Sequence, residues 1–107
     1  MDRQKFTEKL DILFDSIRQK FQVKGDEYAA WDNVFANFDR GAQIKNEQPE
    51  LVLDGYLTKH YVSYRDMLDQ IEEGHYPSIQ LIEEKLGDIV LYFILQKIMM
   101  ENRTTPF

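Results

Sequence analysis

The chain contains no cysteine. That excludes disulfide scaffolds, iron–sulfur clusters and thiol catalysis, and it permits an intracellular home. Histidine is scarce as well: His60 and His75 are the only two, and without thiols beside them they leave little from which to build a zinc site. Long hydrophobic runs are missing. The longest, Ile89–Leu95, has seven residues, whereas a membrane span needs about 20. The opening stretch MDRQKFTEKL is charged from its second residue and lacks the apolar core of a signal peptide. Basic residues are outnumbered, 13 Lys and Arg against 19 Asp and Glu, for a net charge of −6. This argues against a non-specific DNA binder, which needs a basic face, and equally against binding an anionic membrane. No phosphate-cradling glycine loop, no Ser–His–Asp order and no zinc spacing occurs. A soluble, cytoplasmic protein is expected.

What remains is an ordinary globular composition. The 107 residues are 43% hydrophobic and 30% charged, enough for one domain with one core. The domain is expected over residues 1–102, with 103–107 as a flexible C-terminal tail.

Helical periodicity runs through the chain. Phe6, Leu10, Leu13, Ile17 and Phe21 recur at spacings of four, three, four and four, which predicts a helix over Asp2–Gln22 with Asp2 as N-cap and Gly25 as its end. Tyr28, Trp31, Val34, Phe35 and Phe38 predict a second, shorter helix over Glu27–Gln43, with Gly41 as a stop. Pro49 suits the first turn of a third helix, and Glu50 favours its positive end. Its apolar residues continue through Leu57, Tyr64 and Ile71 as far as Gly74. Gly55 lies inside this helix, either as a point of close backbone approach or as a tolerated glycine. Ser78 is the expected N-cap of a last helix reaching Asn102. From Ile89 to Leu95 that helix is apolar all round, which places it at the centre of the fold or in a subunit interface. No period-two pattern survives, so the fold class is all-α: a compact bundle of three long helices plus one shorter helix.

Chemistry-bearing residues fall into three groups. In the first, Lys24 can neutralise a phosphate, and Tyr28, Trp31 or Phe35 can stack on a base. Asn33 and Asn37, four apart, would share one helix face and could read a base or ribose edge. Core packing and capping describe the same residues equally well. In the second, Lys59 offers another phosphate contact and His60 an acid, base or donor; solvent exposure and core-edge packing are the plain alternatives. In the third, Glu84, Asp88 and Tyr92 lie on one face of the last helix. Asp88 enters a buried stretch and so needs a partner. An ion pair with Lys24 or Lys59 supplies one; Mg²⁺ held by Glu84 and Asp88 is the other reading.

Taken together, Lys24-Gly25-x-Glu27-Tyr28, Asn33-x-Phe35-x-Asn37-Phe38, Lys59-His60 and the run from Glu84 through Gly87, Asp88 and Tyr92 to Leu95 resemble small helical proteins of bacteriophages and prophages. They look similar to the nucleotide-modification-associated phage family. More remotely, they are similar to the all-α, MazG-like nucleoside triphosphate pyrophosphohydrolases. The resemblance spans about Leu13 to Met100. It implies a helical fold in the cytoplasm of a bacterial host. It also implies a site for a nucleotide or nucleotide-like ligand formed by Lys24, Tyr28, Asn33, Asn37, Lys59, His60, Asp88 and Tyr92. Such a protein would act in nucleotide metabolism or sequester a host defence signal. The pyrophosphohydrolases carry Glu-x-x-Glu on one helix and Glu-x-x-Asp on another, whereas here the last helix reads Glu84-x-x-Gly87 and the first, with Glu8, Asp11 and Asp15, has no Glu-x-x-Glu. With that acidic cage incomplete, binding without turnover and without a required cofactor is the expectation. A Mg²⁺-dependent pyrophosphohydrolase and a module that engages a host protein are the alternatives, and a homodimer or higher homo-oligomer is compatible with each.

Overall fold

Four helices follow one another: α1 (Arg3–Tyr28), α2 (Ala36–Lys45), α3 (Pro49–Glu72) and α4 (Ile79–Thr104). The computed structural model describes residues 1–28 and 33–105, except for the side chains of 24–28. No strand occurs among the described residues, and the all-α bundle of three long helices and one short one is the observed architecture.

Local chemistry explains most of the helix ends. The Asp2 carboxylate accepts the Lys5 backbone N–H at 2.8 Å, capping α1 as expected. Ser78 Oγ accepts the Leu81 N–H at 3.1 Å and caps α4. Pro49 occupies the first turn of α3 behind an extended Gln48. Gly74, at φ +89°, closes α3, and the following His75 N–H returns to the Gln70 carbonyl.

Two glycines do not stop helices as expected. α1 continues through Gly25 to Tyr28; a mid-helix glycine costs only about 1 kcal/mol, and no proline enforces a break there. Gly41 lies inside α2, where a Cβ would come within 2.8 Å of the buried Val52 side chain. It is the point where α2 and α3 approach closely. The second helix also starts late, at Ala36 rather than Glu27, and Trp31 falls outside the described residues. α2 ends at Lys45, where Asn46 adopts the left-handed conformation at φ 55° and its N–H bonds the Ala42 carbonyl.

Gly55 is the tolerated kind. Nothing lies within 4 Å of where its Cβ would be, so Gly55→Ala is expected to raise stability by about 0.5–1 kcal/mol. Urea denaturation measures this; a loss of stability would contradict the open surroundings.

The core joins all four helices: Ile17 from α1, Phe38 from α2, Val52 and Leu53 from α3, and Leu91, Leu95 and Met99 from α4. α3 packs against both α2 and α4, and α4 packs against both α3 and α1. The apolar stretch of α4 is not buried all round, however: Ile89, Leu91 and Leu95 are buried, but Phe93 is 56% exposed. The far end of α4 is tied to the start of α3. Gln96 Nε2 donates to the Glu50 carbonyl at 3.0 Å, and Arg103 meets the Glu50 carboxylate and the Gln48 side chain. α4 therefore runs through Thr104, and Arg103, expected in a loose tail, is anchored; residues 106 and 107 lie outside the described residues.

Candidate functional site

The feature that stands out is a buried carboxylate. Asp88, in the middle of α4, is 4% exposed and needs compensation there. Among the described residues, cationic or titratable groups reach it from two other helices. Lys20 of α1 places Nζ 3.3 Å from Oδ1, and His60 of α3 places Nδ1 3.7 Å from Oδ2. Lys20 arrives over Gly87. A Cβ at that position would come within 2.6 Å of Lys20 Cε, so the missing side chain forms the notch through which the lysine stem crosses α4. One turn earlier the Ser16 hydroxyl donates to the Glu83 carboxylate, a second α1–α4 tie.

Aromatic rings extend from this centre. The His60 ring lies 5.1 Å from Tyr92, tilted by 34°. Tyr92 meets Tyr56 edge-on at 6.3 Å, and Tyr56 meets the fully buried Phe38 edge-on at 5.3 Å. The row links the half-buried His60 and Tyr92, through the exposed Tyr56, to the buried Phe38, in the tilted and edge-on arrangements that rings prefer. The outcome is a cation and an imidazole on one carboxylate, with the Tyr92 ring beside the imidazole. Such a set can bond an anion, donate or accept a proton at the imidazole, and stack a planar group.

Of the residues singled out in the sequence, the structure brings together His60, Asp88 and Tyr92. Lys24 and Tyr28 sit in the last two turns of α1 rather than a loop, and their side chains lie outside the described residues. Asn33 and Asn37 do not share a helix face. Asn33 precedes α2, where its Oδ1 accepts the Phe35 N–H and its Nδ2 donates to Asp39, both at 3.0 Å. This is a turn-forming role typical of asparagine. Asn37 stands in the first turn of α2, half-buried beside Phe38. Lys59 is exposed, and among the described side chains of α1 it is Lys20 that reaches Asp88. Glu84 and Asp88 are in unlike surroundings: Glu84 is 61% exposed, 3.8 Å from Lys85, while Asp88 turns to Lys20 and His60. No group of three or more His, Asp and Glu side chains is placed to hold a metal ion among the described residues.

Lys20 and Gly87 were missed by sequence reasoning. A lysine one turn before Lys24 and a glycine one residue before Asp88 carry a signal only once α1 is known to cross α4 at that point.

A second concavity lies between α1 and α4. It is an apolar groove of about 640 Å³, walled by Phe14, Ile17, Phe21, Phe35, Ile94 and Ile98. Among the described residues no helix is long and apolar enough to cross a membrane. Compared with known protein families, curated proteins and solved structures, the chain matches none.

Proposed function

We propose that this protein binds a nucleotide or nucleotide-like ligand at the Lys20–Asp88–His60–Tyr92 cluster and holds it without turnover. The observation that carries the reading is the pairing of a buried carboxylate, compensated by Lys20 and His60, with half-buried aromatic rings at its edge. An aromatic face accepts any base by stacking, which contributes about 1–3 kcal/mol per base. A positioned imidazole and lysine nearby suit phosphate oxygens. Holding without turnover follows from the use of Asp88: its two oxygens already face Lys20 and His60. The ligand class accords with the resemblance to phage nucleotide-associated proteins.

The test is titration calorimetry with mononucleotides, cyclic nucleotides and their triphosphates. Wild type is expected to bind one of these classes. Tyr92→Ala and His60→Ala should each weaken binding about 10-fold or more, the scale of one lost stacking or charge-assisted contact. Undiminished affinity in both variants would sink the site assignment. Release of pyrophosphate by wild type with Mg²⁺ would replace holding with hydrolysis.

A further inference from the structure

The chain exposes more surface than its mass warrants. Its accessible area is 8280 Å², whereas a folded monomer of 12.8 kDa exposes about 6,300 Å². The radius of gyration is 15.9 Å, where about 13 Å is usual for this length. Part of the surplus lies at the start of α1. Every residue from Arg3 to Lys9 in α1 is exposed, so the first turns of that helix are not packed on the bundle. They still carry the apolar stripe: Phe6, 56% exposed, followed at four-residue spacing by Leu10 and Phe14, on one helix face. Phe14 is also the first wall of the 640 Å³ groove that α1 forms with α4. A protruding apolar helix end and an apolar groove therefore lie on the same face of one helix. Phe6 and Phe14 stand about 12 Å apart at 1.5 Å per residue.

We infer that this face is covered by a second copy of the chain, in a two-fold dimer whose axis passes near Leu10 of α1. Two antiparallel α1 helices related in this way place Phe6 of each copy opposite Phe14 of the other, at the mouth of the groove. The contact is isologous and closes on itself. The area decides between this occupant and a transient partner. A surplus of about 2,000 Å² per chain by the mass scaling matches the obligate homodimer class, which buries about 2,000–5,000 Å² in total, and exceeds what brief encounters bury. Both complementary shapes, the protruding end and the groove, are supplied by this one chain, so no other protein is needed to complete the fit. The inference rests on α1 and the groove, and it is independent of the nucleotide reading.

Sedimentation velocity on the full chain tests it, read with circular dichroism to confirm helix content. Wild type is expected to sediment at twice 12.8 kDa. Phe6→Glu, in the unpacked turns where it cannot unfold the bundle, and Ile98→Glu, in the groove wall, are each expected to raise the dimer dissociation constant by about tenfold or more. Phe93→Glu, on the other side of α4 by helical spacing, is expected to leave the dimer intact. A wild type that stays monomeric at high concentration overturns the inference. So does a dimer that survives either Phe6→Glu or a folded Ile98→Glu, or one that is lost with Phe93→Glu alone.

Discussion

Phe38→Ala is expected to lower stability by about 3–5 kcal/mol, the range for removing a large aromatic side chain from a core. The expectation sits at the upper end of what single substitutions do because Phe38 is 0% exposed and is the one fully buried residue that α2 contributes. It belongs to the one core cluster that also holds Val52 and Leu53 of α3 and Leu95 and Met99 of α4, and Tyr56 meets its ring edge-on. Its loss therefore detaches the shortest helix from the bundle and removes the floor of the aromatic row. Domains of this size have about 5–15 kcal/mol in total, so the melting temperature should fall by well over 10 °C. A fall of only a few degrees would mean that α2 contributes little to the folded state, and the place of Phe38 at the centre of the core would be wrong.

Asp88→Ala is the second large expectation. Removing one partner of a buried ion pair costs about 3–5 kcal/mol, because the other charge stays behind in a poor solvent. Here Lys20 has an escape: it lies on α1 with its side chain 16% exposed, so its ammonium can swing outward. The loss is therefore expected near the low end of that range, about 3 kcal/mol. The double substitution Lys20→Met, Asp88→Leu is expected to recover a good part of the deficit, since an apolar pair of similar volume often replaces a buried ion pair at no cost. Urea denaturation of the two single variants and the double variant measures the coupling. A deficit in Asp88→Ala below about 0.5 kcal/mol, the usual size of a surface change, would show that the cluster is not a buried network. The same variants bear on function, because Asp88 orients both Lys20 and His60. Loss of affinity in Asp88→Ala without a matching loss in the double variant would place the binding energy on the scaffold rather than on the charged groups.

Much of the fold was legible because its signals are local. The Phe6–Phe21 stripe, Asp2 before the first helix, Pro49 at the start of the third, Ser78 before the fourth and Gly74 after the third each act within one or two turns. A single sequence shows them directly. Glycine was ambiguous for a physical reason: it ends helices, permits close approach or is merely tolerated. Gly25, Gly41 and Gly55 differ in what stands opposite them, not in their neighbours along the chain. Asn33 was misplaced on a helix face because its side chain satisfies a backbone N–H just before the helix begins, and spacing alone does not separate those roles. In the site, Asp88 announced itself by entering an apolar run, and His60 and Tyr92 by their type. Lys20 could not be read, since its pairing depends on where α1 crosses α4 and on the notch left by Gly87.

The most direct measurement is a thermal-shift screen of the full chain against linear and cyclic nucleotides, with and without Mg²⁺. A ligand present at 100 times its dissociation constant adds about 2.7 kcal/mol, which raises the melting temperature of a domain this size by about 10 °C or more. The expected result is such a rise for one nucleotide class in the absence of Mg²⁺, abolished in His60→Ala and Tyr92→Ala. No rise for any member of the panel, in a protein that melts cooperatively, would contradict the nucleotide-binding assignment and leave the cluster about Asp88 as a purely structural network.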